Sequence, residues 1–339
     1  MPRTLHRSTL MPLRPTRPTR LTRPTRPARP ARPIVILSEA KDRLTLLALL
    51  FLVAPALEAQ APAAEGFPSW AYVVRPADQA KPLLFLPAPD WHPADHSPMP
   101  AIVARARPPA VVACGYCHRA DGVGGPENAS LAGLSSEYMI RQVADFRSGA
   151  RKGSEPLRLP TSTMAAMARA ATDSEIDVAV RYFAAQRLIP RISVIESDSA
   201  PPSRIAGWAL VAEPGPWQPV GARIVELPDN EAQFERRDAH STFTAWVPVG
   251  SLARGQALVT GGDGGRIPPC ASCHGPAMKG LDPAPAIAGR SPTYIMRQLY
   301  DFSHGTRAGT AAAPMRAVAE QLSLDDMIAA AAYIGSLEP

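Results

Sequence analysis

Cys114-Gly-Tyr-Cys117-His118 returns as Cys270-Ala-Ser-Cys273-His274, 156 residues further along the chain. The same offset carries RQVADFRSGARKG (141–153) onto RQLYDFSHGTRAG (297–309) with seven identities in thirteen positions, where unrelated segments would share about one. It also carries Gly133 onto Gly289 and Tyr138 onto Tyr294. After Gly153 and Gly309 the offset falls to 151, because the first copy has five extra residues; Met164 then meets Met315 and Tyr182 meets Tyr333. The chain therefore contains a duplicated unit, two copies of one fold with two equivalent sites.

Each copy reads as helical. In 136–148 the apolar residues Met139, Ile140, Val143 and Phe146 recur at spacings of three and four behind a serine cap, and Gly149 stands where a left-handed C-cap is wanted. Ser291 and Pro292 open the equivalent helix and Gly305 closes it. The last helix of each copy begins with a capping-box pattern, Thr172 to Glu175 and Ser323 to Asp326. Ile176, Ala179, Val180 and Phe183 form one apolar stripe, and Met327, Ala330, Ala331 and Ile334 the other.

The copies account for about half of the 339 residues. The division expected is a low-complexity segment plus signal peptide over 1–61, an N-terminal extension over 62–97, a first helical domain over 98–189, a connector over 190–249 and a second helical domain over 250–339. The connector loses the helical period, since Pro201, Pro202, Pro214, Pro216, Pro219, Pro228 and Pro248 punctuate short runs such as 222–227. Trp208, Trp217, Phe234, Phe243 and Trp246 give it apolar material to dock, so an ordered, mostly extended, Pro-rich connector draped over both domains is expected. His92, His96 and His240 read as solvated histidines.

The net charge of +6 misleads. Residues 1–61 hold 11 basic and three acidic side chains, leaving 25 basic and 27 acidic over 62–339. Nucleic acid is thus excluded as a partner of the folded part. Lys41 and Arg43 precede LTLLALLFLVAPA (44–56), too short for the roughly 20 residues that span a bilayer, and the run leads to Ala59-Gln60-Ala61. This is the pattern of an export signal, with cleavage expected after Ala61 and a periplasmic or otherwise exported product. A retained anchor or a core helix fits worse, given Pro55 and the basic residues in front. The preceding RPTRPTRLTRPTRPARPARP (14–33) cannot bury a core and suggests a start codon assigned too far upstream. No later run is long and apolar enough for a transmembrane span.

C-x-x-C-H is the attachment signature for c-type haem. Two thiols one helical turn apart reach the two vinyl groups on one edge of a porphyrin, and the adjacent histidine turns its imidazole onto the iron. Cys114, Cys117, Cys270 and Cys273 are all the cysteines of the chain, which leaves none for a disulfide framework. A zinc site built from both pairs would have to join segments 153 residues apart, each already in its own copy. A thioredoxin-like pair gives no reason for histidine to follow both times. Two covalently attached haem c groups are expected, with His118 and His274 on the iron.

The sixth ligand decides carrier against enzyme. Candidates are Met139, Met164 and Met167 in the first copy, and Met278, Met296, Met315 and Met327 in the second. Met139, Met296 and Met327 lie on helix faces, and Met167 maps onto Val318, which cannot ligate. Only Met164 and Met315 are methionine at the same point of both copies, after a Pro/Thr or Ala/Pro loop and before the last helix. For the haem propionates, Arg141 with Arg297 and Arg151 with Arg307 are the arginines shared by both copies. A solvated surface arginine is the competing reading for each.

C-x-x-C-H, then Leu131-Ala-Gly133 or Ile287-Ala-Gly289, then Tyr, Arg-Gln, Asp-Phe and Gly-x-Arg, then Met and a final helix with Tyr, resembles the class I cytochrome c fold in its diheme, cytochrome c4-like form. The similarity covers roughly 98–188 and 250–337. It implies a mainly α protein, two tandem class I cytochrome c domains with His and Met ligands, and no substrate chemistry. It further implies that the loop holding Pro126 or Pro283 offers a backbone carbonyl to the proximal histidine. The sequence departs from this pattern in its long connector and extension, and the first copy lacks the glycine that opens the second copy's first helix, Gly255, so its own helix over 102–106 is expected to be short or displaced. Two functions follow: an exported carrier passing single electrons between a dehydrogenase or cytochrome complex and a terminal oxidase or other acceptor, or a diheme enzyme, such as a peroxidase or a sulfur-compound dehydrogenase, with one open iron.

Overall fold

The computed structural model describes residues 87–339, apart from 106, 108, 109, 156, 157 and 207. The export-signal reading, the Pro/Arg tract and most of the N-terminal extension fall outside these residues. All of the described residues belong to one compact unit.

The first copy runs α1 (Ala101–Ala104), α2 (Cys114–His118), α3 (Ser136–Ser148), α4 (Leu159–Ala170) and α5 (Asp173–Ala184). The local signals explain the bounds. Ser135 accepts a hydrogen bond from Tyr138 N at the start of α3, and Gly149 (φ 80°) ends it in a conformation that costs glycine little. Thr172 and Glu175 form a complete capping box on α5. Met139, Phe146, Ala179, Val180 and Phe183 are buried, but Ile140 stands 42% exposed. Ile140 sits six residues before Phe146, more than a turn and a half, and so falls off the inward face of α3.

After the connector the second copy runs α7 (Ser251–Gly261), α8 (Ala271–His274), α9 (Pro292–Ser303), α10 (Ala313–Ala319) and α11 (Leu324–Ser336), with Ser323 and Asp326 capping α11. Equivalent loops repeat bond for bond. Gly124 N donates to His118 O at 2.9 Å and Gly280 N to His274 O at 2.9 Å; Leu131 and Ala132 N reach Gly122 O just as Ile287 and Ala288 N reach Met278 O. The copies differ most at their first helix. Gly255 lets α7 lie directly on α11, since a Cβ there would stand 2.1 Å from Ala329 O and 2.6 Å from Tyr333 Cβ. Without such a glycine, the first copy has a single turn, α1.

Between them lie β1 (Ile192–Glu196), β2 (Ser199–Ala200), β3 (Ser203–Ala206), β4 (Ala209–Ala212), β5 (Gln218–Pro219), β6 (Val225–Pro228), α6 (Glu231–Glu235) and β7 (Phe243–Val247). β1 pairs with β7 in parallel, Ile192 opposite Phe243, and β6 joins β7 antiparallel in the order β1-β7-β6; β3–β4 and β2–β5 form two small ladders. The segment has its own cores, Ala200, Val220, Val225 and Leu227 in one and Ala209, Phe234 and Phe243 in another. Trp217 packs edge-on against Trp246 yet stays 55% exposed. The extension reaches this layer through Trp91 Nε1, which donates to Arg236 O at 3.0 Å. Among the described residues no helix is long and apolar enough to cross a membrane.

Candidate haem sites

α2 and α8 are each little more than one turn, which is what places two cysteines and a histidine on a common edge. Both imidazoles are fixed from behind: His118 Nδ1 lies 2.8 Å from Ala129 O and His274 Nδ1 2.8 Å from Pro285 O. Ala129 and Pro285 stand at the same point of the repeat, eleven residues past their histidine. These carbonyls leave Nε2 as the free ring nitrogen on each side and fix the tautomer it needs as a ligand. Burial lowers the pKa of both histidines, favouring the neutral form that binds metal. The loops that hold Pro126 and Pro283 do supply the carbonyl, from Ala129 three residues later in the first copy and from Pro285 two later in the second, while the Pro126 and Pro283 carbonyls have other partners.

Met164 lies on α4 and Met315 on α10, so the Pro/Thr and Ala/Pro segments before them are first turns of helices rather than covering loops; Pro160 and Pro314 occupy the positions where a missing N–H is harmless. One cavity of about 890 Å³ is lined by Cys114, Cys117, His118 and Met164 of the first copy and by Cys270, Cys273, His274 and Met315 of the second. Met167 also touches it, but its sulfur accepts the Val112 N–H at 3.2 Å and packs in the core. Met278 is fully buried beneath the second site's loop.

The four thiols form no disulfide. Burial pushes Cys114 up to about 12 and Cys117 to about 11, where Arg237 and Arg119 offset only part of the effect. Neutral thioethers would carry no such penalty.

Arg151 and Arg307 are not solvated surface groups: both are 7% exposed. Arg151 donates to Gln142 Oε1 (2.9 Å), Tyr294 Oη (3.0 Å) and Gln298 Oε1 (2.7 Å), and Arg307 to Gln298 Oε1 (3.1 Å), Tyr138 Oη (2.8 Å) and Gln142 Oε1 (2.8 Å). Arg141 donates across to Pro283 O at 3.3 Å, and Arg297 donates back to Pro126 O. Sequence reading missed Arg290, which reaches Ser130 O (2.7 Å) and Ala132 O (3.0 Å) in the other copy; its counterpart in the repeat is Leu134, so duplication gave no signal. Tyr138, Tyr294, Gln142 and Gln298 did carry one, being identical in both copies.

These cations test whether a haem fits. Arg151, Arg290, Arg297 and Arg307 all line the cavity, yet their acceptors are carbonyls, amides and hydroxyls, and none pairs with a carboxylate among the described residues. Burial brings Arg290 and Arg297 down to about 10. Burial would raise Tyr138, but Arg307 and Arg151 override it and lower its pKa. A cavity edged by buried arginines bonded to neutral acceptors suits a group that brings carboxylates with it, as a porphyrin brings propionates. The residues present fit the group.

Paired cysteines with an oriented histidine on one turn, beside an apolar cavity rimmed by arginines, define a protein that carries covalent haem. Residues 252–338 match the family model for cytochrome c. The chain is 38% identical over 74 residues to cytochrome c-554(548) of Halomonas halodenitrificans, covering 22% of this chain and 89% of that one. It is 29% identical over 232 residues to the thiosulfate dehydrogenase electron acceptor of Stutzerimonas stutzeri, covering 68% and 81%, and 27% identical over 228 residues to cytochrome c4 of Pseudomonas aeruginosa, covering 66% and 83%. The chain belongs to the cytochrome c family.

Proposed function

We propose that this protein is an exported diheme electron carrier, with helical haem domains over 98–189 and 250–339. One haem c is attached at Cys114 and Cys117 with His118 and Met164 as ligands, and the other at Cys270 and Cys273 with His274 and Met315. The observation that carries this reading is the recurrence of the whole constellation at one cavity: thiol pair, imidazole pinned at 2.8 Å by a carbonyl eleven residues on, and methionine on the helix before the last. Bound haem would supply a one-electron couple. The chain's part is to orient and polarise each imidazole, to place a thioether that favours ferrous iron, and to exclude water with apolar walls. Arg151, Arg307, Arg141 and Arg297 place cations beside the propionates from both copies, holding the two sites in a fixed relation.

The resemblance to an electron acceptor of thiosulfate dehydrogenase supports a dehydrogenase as donor, and electrons would pass on to a terminal oxidase or other acceptor. Export follows from the basic, apolar, Ala-x-Ala run ending near Ala61. The test is a reductive titration under carbon monoxide: a carrier takes up two electrons per chain and binds no carbon monoxide at either ferrous site. Binding at one haem in the unmodified protein would instead assign the enzyme.

A further inference from the structure

Among the described residues, a cluster of metal-ligating side chains lies outside both copies. His92 and Asp95 belong to the N-terminal extension and His240 and Asp238 to the connector, about 145 residues away. The rings of His92 and His240 lie face to face, centroids 3.5 Å apart and planes 5° from parallel. His240 Nε2 is 2.6 Å from Asp95 Oδ2, and His92 Nε2 is 2.8 Å from Asp238 Oδ1. One ligand atom each from His92, Asp95 and His240 lies within 4.8 Å of the others. From the structure we infer that these three residues form a binding site for a divalent transition metal of the zinc class, with Asp238 as the supporting carboxylate.

Backbone geometry prepares the donors. A turn bonded from Asp95 N to His92 O, at 3.0 Å, brings the two extension ligands together. Asp238 takes hydrogen bonds from His240 N (2.8 Å) and Gln233 Nε2 (3.0 Å), so the connector side is held before any ion arrives. Two imidazoles and a carboxylate suit zinc, copper or nickel, and not calcium or magnesium, which take oxygen donors. Charge agrees: the two carboxylates, Asp95 and Asp238, are balanced by one divalent ion. Arg191 also faces both carboxylates, but pairs with Asp121 at 3.9 Å. The histidines are half-buried, with side chains 31% and 38% exposed, and Asp95 is 50% exposed, so an ion can enter without unfolding the chain. Once bound it would cross-link the extension to the connector, beside the point where His96 of the extension bonds Tyr182 Oη on α5 at 3.0 Å.

The test is calorimetric titration of chelator-treated, full purified protein with Zn²⁺. The wild type should bind one zinc per chain at this site. His240→Ala and the conservative Asp95→Asn should each weaken that binding at least tenfold, while His304→Ala, an exposed histidine elsewhere, leaves it unchanged. Haem absorption should be the same in all four proteins, which separates this inference from the haem assignment. Zinc binding equal in the wild type and in both cluster variants, or no zinc binding by the wild type, overturns it.

Discussion

Arg151 and Arg307 face each other across the two copies in an isolated antiparallel bridge, and each guanidinium lies over the phenylalanine of its own copy, 4.5 Å from Phe146 and 4.3 Å from Phe302. Each also bonds Gln142 and Gln298, so two residues equivalent by duplication share one pair of acceptors. The contact between the copies is therefore two-fold in its chemistry, and buried.

Removing either cation takes one of two donors from each glutamine and the arginine donor from one tyrosine hydroxyl, Tyr294 for Arg151 and Tyr138 for Arg307. Arg151→Ala or Arg307→Ala is expected to cost about 2–4 kcal/mol in denaturant unfolding, the scale for a buried polar network that loses one member. The double variant should cost more than the sum, because after either single change the remaining guanidinium still serves Gln142 and Gln298, and only the double change leaves both without it. Additive losses would show that the two guanidinia act independently.

Met164→Ala should open the first site to one carbon monoxide per chain, and Met315→Ala the second, each lowering the reduction potential of its own site only. Met167→Ala should leave both closed and instead destabilise the fold, since its sulfur serves the Val112 N–H. Electronic absorption with carbon monoxide and potentiometry decide this.

Gly255→Ala should weaken the second copy selectively. Its Cβ would meet Ala329 O at 2.1 Å, which forces α7 and α11 apart at a cost of about 3 kcal/mol or more. Limited proteolysis should cut within 250–262 first, and the spectrum of the first site should survive.

Arg107 holds the Glu175 carboxyl at about 2, helped by the Thr172 N–H and hydroxyl. A folded pKa below the unfolded 4.5 gives stability that is fully present above the unfolded value and lost as pH falls from about 4.5 to about 2. Thermal midpoints over that range should fall more steeply in the wild type than in Glu175→Gln.

What the sequence revealed was local or duplicated. The capping boxes at Thr172 and Ser323, the Ser135 and Ser291 caps and the Gly149 stop depend on neighbours within four residues, and they form where the sequence puts them. What it concealed was long-range. Nothing in 192–196 signals a parallel partner at 243–247, because the pairing is made by packing across some fifty residues. His96 reads as solvated yet its side chain is 3% exposed, held between Asp90 and Tyr182, and His92 reads alone until His240 is folded onto it. Arg290 works through carbonyls of the other copy, which carry no side-chain identity for a sequence to record.

Two covalent haems per chain are the centre of this account. The intact mass of the purified protein, measured after acid and organic extraction has removed any loosely held porphyrin, should exceed its polypeptide mass by two haems, and by one haem in the variant Cys270→Ala/Cys273→Ala. A wild-type mass equal to the bare polypeptide, or to the polypeptide plus a single haem, would contradict it.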